Sequence, residues 1–303
     1  MKRIAELFSE HYEPGYYKLI DRTHPLSLYI GADIDGHYAI EYRGDFKPVK
    51  VKSSTAIGVM HFETNKNKSV VFSLLDSSML STFCAFCEDM VETTRSATDN
   101  NSGYTLLINR FYAWKKMFHQ AGNLLDEKRI MGLIGELLFL EQDMIPKYGK
   151  SKALGSWTGS EKTKKDFSLD GTWYEIKAIT AGKSVVGISS YEQLDSELPG
   201  NLVVFQLEKM SPEYNGISLN KLVKQIYQEF DVESLKDLFL QKLSDAGYAF
   251  ESAYDTYVFV INSKSIYEVN QSFPCLRREE KLDAVVQVKY DLLLAKIEQF
   301  KIK

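Results

Sequence analysis

Between Tyr17 and Leu75 apolar and polar residues alternate in short runs, YYKLI, LSLYIGADIDG, YAIEYRG, VKVKSS, IGVMHFE and SVVFSLL, divided by Gly, Asp and Asn. A period of two punctuated by turn residues predicts strand after strand. Asp33 to Gly36 (D-I-D-G) reads as a hairpin turn, and its two aspartates suit turn chemistry. A calcium loop would need more oxygen ligands at regular spacing. After Leu75 the period becomes helical. One helix is expected from an N-cap at Asp76 or Ser77 towards Val91, and a second from Tyr104 to His119 beyond the polar break TTRSATDNNSG. A third, Asp126 to Gln142 (DEKRIMGLIGELLFLEQ), is apolar on nearly every side yet carries Glu136 in its middle. An ionised carboxylate there needs a cation, a hydrogen-bond network or an active-site opening.

From Asp166 the strand pattern returns in KDFSLDG, TWYEIKAIT, KSVVGISS and NLVVFQLE, with Asp170-Gly171 as a tight turn between the first two. Two amphipathic helices follow, about Leu219 to Glu229 and Val232 to Ala246, and then YDTYVFVIN, SIYEVN and AVVQVKYDLL as late strands. This order predicts a mixed α/β (α+β) fold: a β-rich domain over residues 1–100 that ends in a helix, then a second domain over 101–303. No G-x-G-x-x-G or Walker loop is present, so a doubly wound nucleotide-binding sheet is not expected. There is no internal repeat, low-complexity run or proline-rich linker.

Composition narrows the classes. Of 303 residues 44% are hydrophobic and 26% charged, which excludes a disordered or fibrous chain, and 18 Tyr with 17 Phe favour sizeable sheets. Lys plus Arg number 37 against 41 Asp plus Glu, a net charge of -4, so any nucleic-acid surface must be local. The start MKRIAELFSEHY lacks a signal-peptide core and no stretch of ~18 apolar residues occurs, so a soluble, cytoplasmic protein without membrane contact is expected. Cys84, Cys87 and Cys275 cannot build a disulfide framework. The C-A-F-C pair lies in a helical pattern, and core packing is the expected role. Among His11, His24, His37, His61 and His119 no two have metal-ligand spacing.

The most specific chemical signal is Asp166 followed, across the hairpin turn, by Glu175-Ile176-Lys177. Alternate strand residues share a face, so Glu175 and Lys177 point one way and Ile176 the other, while Asp166 can come alongside. Alone, E-I-K is often an exposed charge pair and K-D-F a strand entrance. Together, two carboxylates and a lysine at a sheet edge suit a hard divalent cation and a water nucleophile, with Mg²⁺ the natural choice and Mn²⁺ a substitute. Asp166 and Glu175 would hold the metal and Lys177 would orient or activate the water. Glu136 then becomes a further ligand or a supporting group.

These residues resemble the PD-(D/E)XK nuclease superfamily, and more closely a bacterial PD-(D/E)XK family of restriction-like and phage-defence gene clusters. The likeness lies in Gly132-Leu133-Ile134-Gly135-Glu136-Leu137, Trp157-Thr158-Gly159, Lys165-Asp166-Phe167 and Tyr174-Glu175-Ile176-Lys177-Ala178. It extends to Ile188-Ser189-Ser190 through Gln193-Leu194, to Gly31-Ala32-Asp33 and to Phe273-Pro274, and so spans most of the chain. The motif's proline is replaced by Lys165. The resemblance implies a restriction-endonuclease-like core beyond about residue 120, built as a helix with Glu136, a hairpin with Asp166 and Glu175-x-Lys177, a third strand, a helix and a fourth strand. It also implies a DNA methyltransferase and an ATPase as partners.

Among secondary candidates, Lys162, Lys164 and Lys165 could hold phosphates or form a solvated loop. Gln193 could touch the attacking water or DNA, or cap a helix. Trp157 suits core packing. The resulting expectation is a Mg²⁺-dependent restriction-type endonuclease acting on double-stranded DNA, as a homodimer or within a complex. A non-catalytic scaffold that keeps the fold, and a metal-dependent hydrolase of RNA or another phosphodiester, are the rival readings.

Overall fold

The computed structural model describes residues 4–63, 68–115, 117–119, 124–161, 164–277 and 288–303. The chain divides into two compact units, Met1–Leu124 with Tyr248–Glu251, and Leu125–Gly247 with Ser252–Lys303. Among the described residues no helix is long and apolar enough to cross a membrane.

In the first unit a short helix α1 (Ile4–Phe8) precedes the strands β1 (Tyr17–Leu19), β2 (Ser27–Ala32), β3 (Tyr38–Gly44), β4 (Ile57–Glu63) and β5 (Lys68–Leu74). They form one antiparallel sheet in the order β1-β2-β3-β5-β4. Its even-numbered face, with Ile30, Ile40, Tyr42, Val70 and Phe72 buried, meets α2 (Leu80–Thr93) and α3 (Asn100–Trp114), as in the Phe72 contacts with Phe86 and Phe111. At the β2–β3 turn Asp33 Oδ1 accepts from the amides of Asp35 and His37 at 3.0 and 2.8 Å, the turn chemistry its composition predicts. Cys84 and Cys87 lie buried in α2, where desolvation pushes the Cys84 thiol up to about 12 and raises Cys87 as well.

Three expectations for this unit are corrected. VKVKSS (49–54) is not a strand, because its backbone is held by side chains. Tyr104 Oη accepts from Val49 N at 3.0 Å, and Lys115 Nζ donates to the carbonyls of Lys52 and Ser53 at 2.8 and 3.2 Å. The second helix begins at Asn100, not Tyr104, since Asp99 and Ser102 form a capping box, and it ends at Trp114 with a separate turn at Met117–His119. The first unit accordingly runs to Leu124 and not to residue 100. Helix α3 belongs to it through a buried polar centre: Asp89 Oδ2 accepts from Arg110 Nε and Trp114 Nε1, each at 2.7 Å.

The second unit opens with α4 (Glu127–Phe139), which passes through a π-helical turn (Leu140–Met144) into α5 (Ile145–Tyr148) and α6 (Lys150–Ser156). Its main sheet has the order β10-β9-β7-β6, from β6 (Phe167–Leu169), β7 (Thr172–Thr180), β9 (Gly200–Met210) and β10 (Val258–Val269). β6 and β7 are an antiparallel hairpin turning at Gly171, whose φ is +86°; β7 and β9 run parallel, and β9 and β10 antiparallel. Helix α4 packs on β7 and on α7 (Leu219–Glu229), while α8 (Glu233–Asp245) packs on α6. The close approach of α4 depends on Gly135, where a Cβ would come within 3.1 Å of Ala178 Cβ. The mixed α/β class is as expected, with two changes. KSVVGISS supplies β8 (Val185–Ile188), which leaves the main sheet to pair with β11 (Tyr290–Leu293) ahead of α9 (Leu294–Ile297). The segments YDTYVFVIN and SIYEVN together form the single strand β10, with an irregularity between Ile261 and Ser263.

Candidate metal and catalytic site

The period of β7 sorts its side chains. Tyr174, Ile176 and Ala178 lie on the α4 side, where Tyr174 meets Phe139 and a Cβ at Gly135 would meet Ile176 and Ala178. Glu175 and Lys177 share the opposite face with Trp173 and Ile179, which belong to an apolar cluster with Val186, Ile188 and Leu202. Asp166 stands at the mouth of the hairpin. Its carbonyl accepts from the amides of Thr158 and Gly159 at 2.8 and 2.9 Å, and its Oδ2 accepts from Ile176 N at 2.7 Å. Glu136 arrives from α4, its Oε2 accepting from Trp157 Nε1 at 2.7 Å.

Gly159 shows how near the two acids come. A Cβ placed on it would lie 2.7 Å from Asp166 Oδ1 and 3.0 Å from Glu136 Oε2, so both oxygens border one small hollow that any side chain would fill. Glu175 is 1% exposed, and neither of its oxygens has a hydrogen-bond partner. Lys177 Nζ is 2.7 Å from Glu175 Oε1, a close charge pairing that leaves Oε2 without a partner. Glu136 and Asp166 are half-buried at the surface, yet each is enclosed enough that burial dominates its titration.

All three acids are held above the ordinary carboxylate range. Burial is the largest cause in each case. At Glu175 the charge of Asp166 adds to burial and Lys177 opposes it, which brings the group to about 8. Glu136 is raised well above its usual value by burial and by Asp166, against the opposing Trp157 hydrogen bond. Like-charged acids crowded in a low-dielectric pocket favour either protons or a cation.

The donor set fits a divalent ion. It consists of hard oxygens: Asp166 Oδ1 and Glu136 Oε2 border the hollow kept open by Gly159, and the buried Glu175 carboxylate has the Lys177 ammonium beside it. Glu136, Asp166 and Glu175 do not bring three oxygens within 4.8 Å of one another; among the described residues Asp33, Asp35 and His37 bring three ligand atoms that close, and those of Asp33 and His37 are engaged within their own turn. An ion would therefore draw the acids inward. Because a Cβ on Gly159 would force Asp166 and Glu136 to give way, Gly159→Ala should lower divalent affinity about tenfold or more, measured by Mn²⁺ calorimetry on protein whose fold is checked by thermal melting. Unchanged affinity would mean that the hollow is not where the ion sits.

The remaining candidates divide. Gln193 stands beside the site, its Oε1 accepting from Lys177 Nζ at 3.2 Å and from Ser189 N at 2.7 Å, so it positions the lysine. Lys164 is exposed, 3.6 Å from Glu192 Oε1. Lys165 is a correction, since it is directed into the protein rather than towards a phosphate. Its Nζ lies 3.5 Å from the Trp173 ring centroid and donates to the carbonyls of Gln193 and Asp195 at 2.8 and 3.3 Å. Burial there lowers its pKa to about 8. Lys162 lies outside the described residues. Trp157 is fully buried, as expected of a core residue, but its indole also fixes Glu136, and Lys242 Nζ holds its carbonyl at 2.6 Å. Lys242 does not stand out in the sequence, because its role comes from a contact 85 residues away, and Gly159 does so only as part of the Trp157-Thr158-Gly159 likeness, which gives it no role.

Comparison with known proteins adds a family. The profile of the family described as "Putative PD-(D/E)XK family member, (DUF4420)" matches residues 7–295. No curated protein and no solved structure matches the chain. The superfamily is nuclease-like, which points to phosphodiester hydrolysis, and its nucleases typically use divalent metals. With its profile matched over nearly the whole length, the chain belongs to this PD-(D/E)XK family.

Proposed function

We propose that the protein is a Mg²⁺-dependent endonuclease of restriction type that hydrolyses phosphodiester bonds of double-stranded foreign DNA. The observation that carries this is the buried carboxylate of Glu175, met by the Lys177 ammonium at 2.7 Å and held high by burial and by Asp166. A bound Mg²⁺, or Mn²⁺ in its place, would polarise the scissile phosphate and offset the charge that builds on it. Asp166, Glu175 and Glu136 would hold that ion. Trp157 keeps Glu136 directed at the hollow, and Gln193 holds the Lys177 ammonium, which then donates to the attacking water or to a phosphate oxygen. Lys164 is the described surface lysine that would meet a phosphate. A homodimer, or an assembly with a methyltransferase and an ATPase, is the working context we assign.

The test is incubation of the purified protein with methylated and unmethylated plasmids in Mg²⁺, Mn²⁺ or EDTA. Nicking or linearisation with either metal and none in EDTA is expected; intact plasmid in every condition, with partners supplied, would replace this reading with the scaffold.

The raised acids give a pH dependence whose sign is fixed. Glu175, at about 8 in the folded chain against an ordinary 4.5, contributes stability that is complete below the ordinary value and lost as pH rises through about 8. In EDTA this contribution should fall over that window. A metal must displace the same protons, so divalent affinity should climb from pH 6 to 8. Calorimetry at pH 7 in buffers of different ionisation heat should record proton release. Affinity that stays flat with pH would contradict the raised carboxylates.

A further inference from the structure

The five-stranded sheet has a second face, and the described helices of the first unit leave it uncovered. Odd-numbered positions of β1 and β3 and even-numbered positions of β4 place Tyr17, Glu41, Arg43, Met60 and Phe62 around a cavity of about 420 Å³. The floor is an ion pair with unused capacity. Arg43 Nε and Nη2 both donate to Glu41 Oε2, at 2.9 and 2.6 Å. Among the described residues no hydrogen bond is made to Glu41 Oε1 or from Arg43 Nη1. The guanidinium is held 4.2 Å from the Tyr29 ring centroid, and the Glu41 side chain is 8% exposed. An acceptor and a donor therefore sit side by side, in fixed positions, at the bottom of a recess. The lining adds exposed apolar side chains, Phe62 at 48%, Met60 at 37% and Ile34 at 76%, to two charged ones already engaged, Asp33 within its own turn and Lys68 with the Phe46 carbonyl and Asp45.

We propose that this recess binds one unpaired nucleobase of the DNA substrate, an inference that rests on the DNA reading given above. A base is flat enough to stack on Phe62, and its Watson–Crick edge offers a donor beside an acceptor to Glu41 and Arg43. Within a duplex that edge is taken by the partner base, so only an unpaired or extruded base can enter. The charges of the lining balance, Arg43 against Glu41 and Lys68 against Asp45 and Glu63 beside Asp33, which favours a neutral base over a phosphate. An apolar partner helix fits poorly, because it would seal Glu41 Oε1 away from every donor. A peptide strand would add to a sheet edge and leave this face untouched.

The experiment is equilibrium fluorescence anisotropy with the full chain in EDTA, so that nothing is cleaved. It compares a fully paired duplex with the same duplex carrying one unpaired nucleotide. The wild type should prefer the unpaired duplex by about tenfold. Glu41→Gln and Phe62→Ala should each reduce that preference towards unity while binding the paired duplex as before. Phe62 is half exposed, so its variant keeps the test valid should Glu41→Gln fail to fold. Equal wild-type affinity for both duplexes, alongside metal-dependent cleavage, overturns this proposal alone. Preference unchanged in both variants overturns it and assigns the face to another partner. No binding to either duplex overturns it together with the DNA reading.

Discussion

Lys177→Ala is expected to lower metal-dependent cleavage by about 10²- to 10³-fold while leaving the fold and divalent binding in place. Lys177 cannot ligate a cation, and its ammonium stands between Glu175 Oε1, at 2.7 Å, and Gln193 Oε1, at 3.2 Å. Its contribution must then be to water or to charge on the transferring phosphate. Removing it takes away a cation that competes for the Glu175 carboxylate, so metal affinity should hold or rise. Without metal the carboxylate loses its nearest opposing charge and should be found protonated at neutral pH, which spares the fold an unpaired buried charge. The paired readout is single-turnover cleavage and Mn²⁺ calorimetry on one preparation. Equal loss of both would make Lys177 a structural residue, and wild-type cleavage would remove it from the site.

Asp166→Asn should behave in the opposite way. The amide keeps an oxygen that can accept from Ile176 N, so the hairpin mouth keeps its 2.7 Å bond, whereas alanine would forfeit it. What disappears is one of three like charges crowded around the hollow. In EDTA the variant should be at least as stable as wild type, and its metal response should collapse. At a hundredfold excess of ligand over Kd a bound cation stabilises the wild type by about 2.7 kcal/mol, and the variant should gain little of this. Thermal melts with and without Mn²⁺ measure both effects together. A metal-induced shift of wild-type size would show that Asp166 is not a ligand.

The features readable in the sequence are those with a local cause. A period of two puts Glu175 and Lys177 on one face of β7, Asp170-Gly171 closes the hairpin that brings Asp166 alongside, and an acid in an apolar helix marks Glu136. Contacts far apart in the chain left no comparable mark. The Trp157 indole looks like core until its bond to Glu136 is seen, 21 residues away in sequence. Lys165 reads as a phosphate ligand until its ammonium is found over Trp173 and against the 193–195 carbonyls. β8 leaves the main sheet because its partner is β11, about a hundred residues later. The alternation in VKVKSS is real, yet Tyr104 and Lys115 take up its backbone groups, and no local rule anticipates that. The first unit's extent was obscured likewise: Arg110 and Trp114 share the buried Asp89 and so bind α3 to α2.

The account rests on one cluster of acids being a divalent-cation site, and crystals soaked in Mn²⁺ test this most directly through anomalous diffraction. The expected result is a peak within coordination reach of Glu175, Asp166 and Glu136, at the hollow beside Gly159. A peak confined to Asp33, Asp35 and His37, or none anywhere at saturating Mn²⁺, would contradict it.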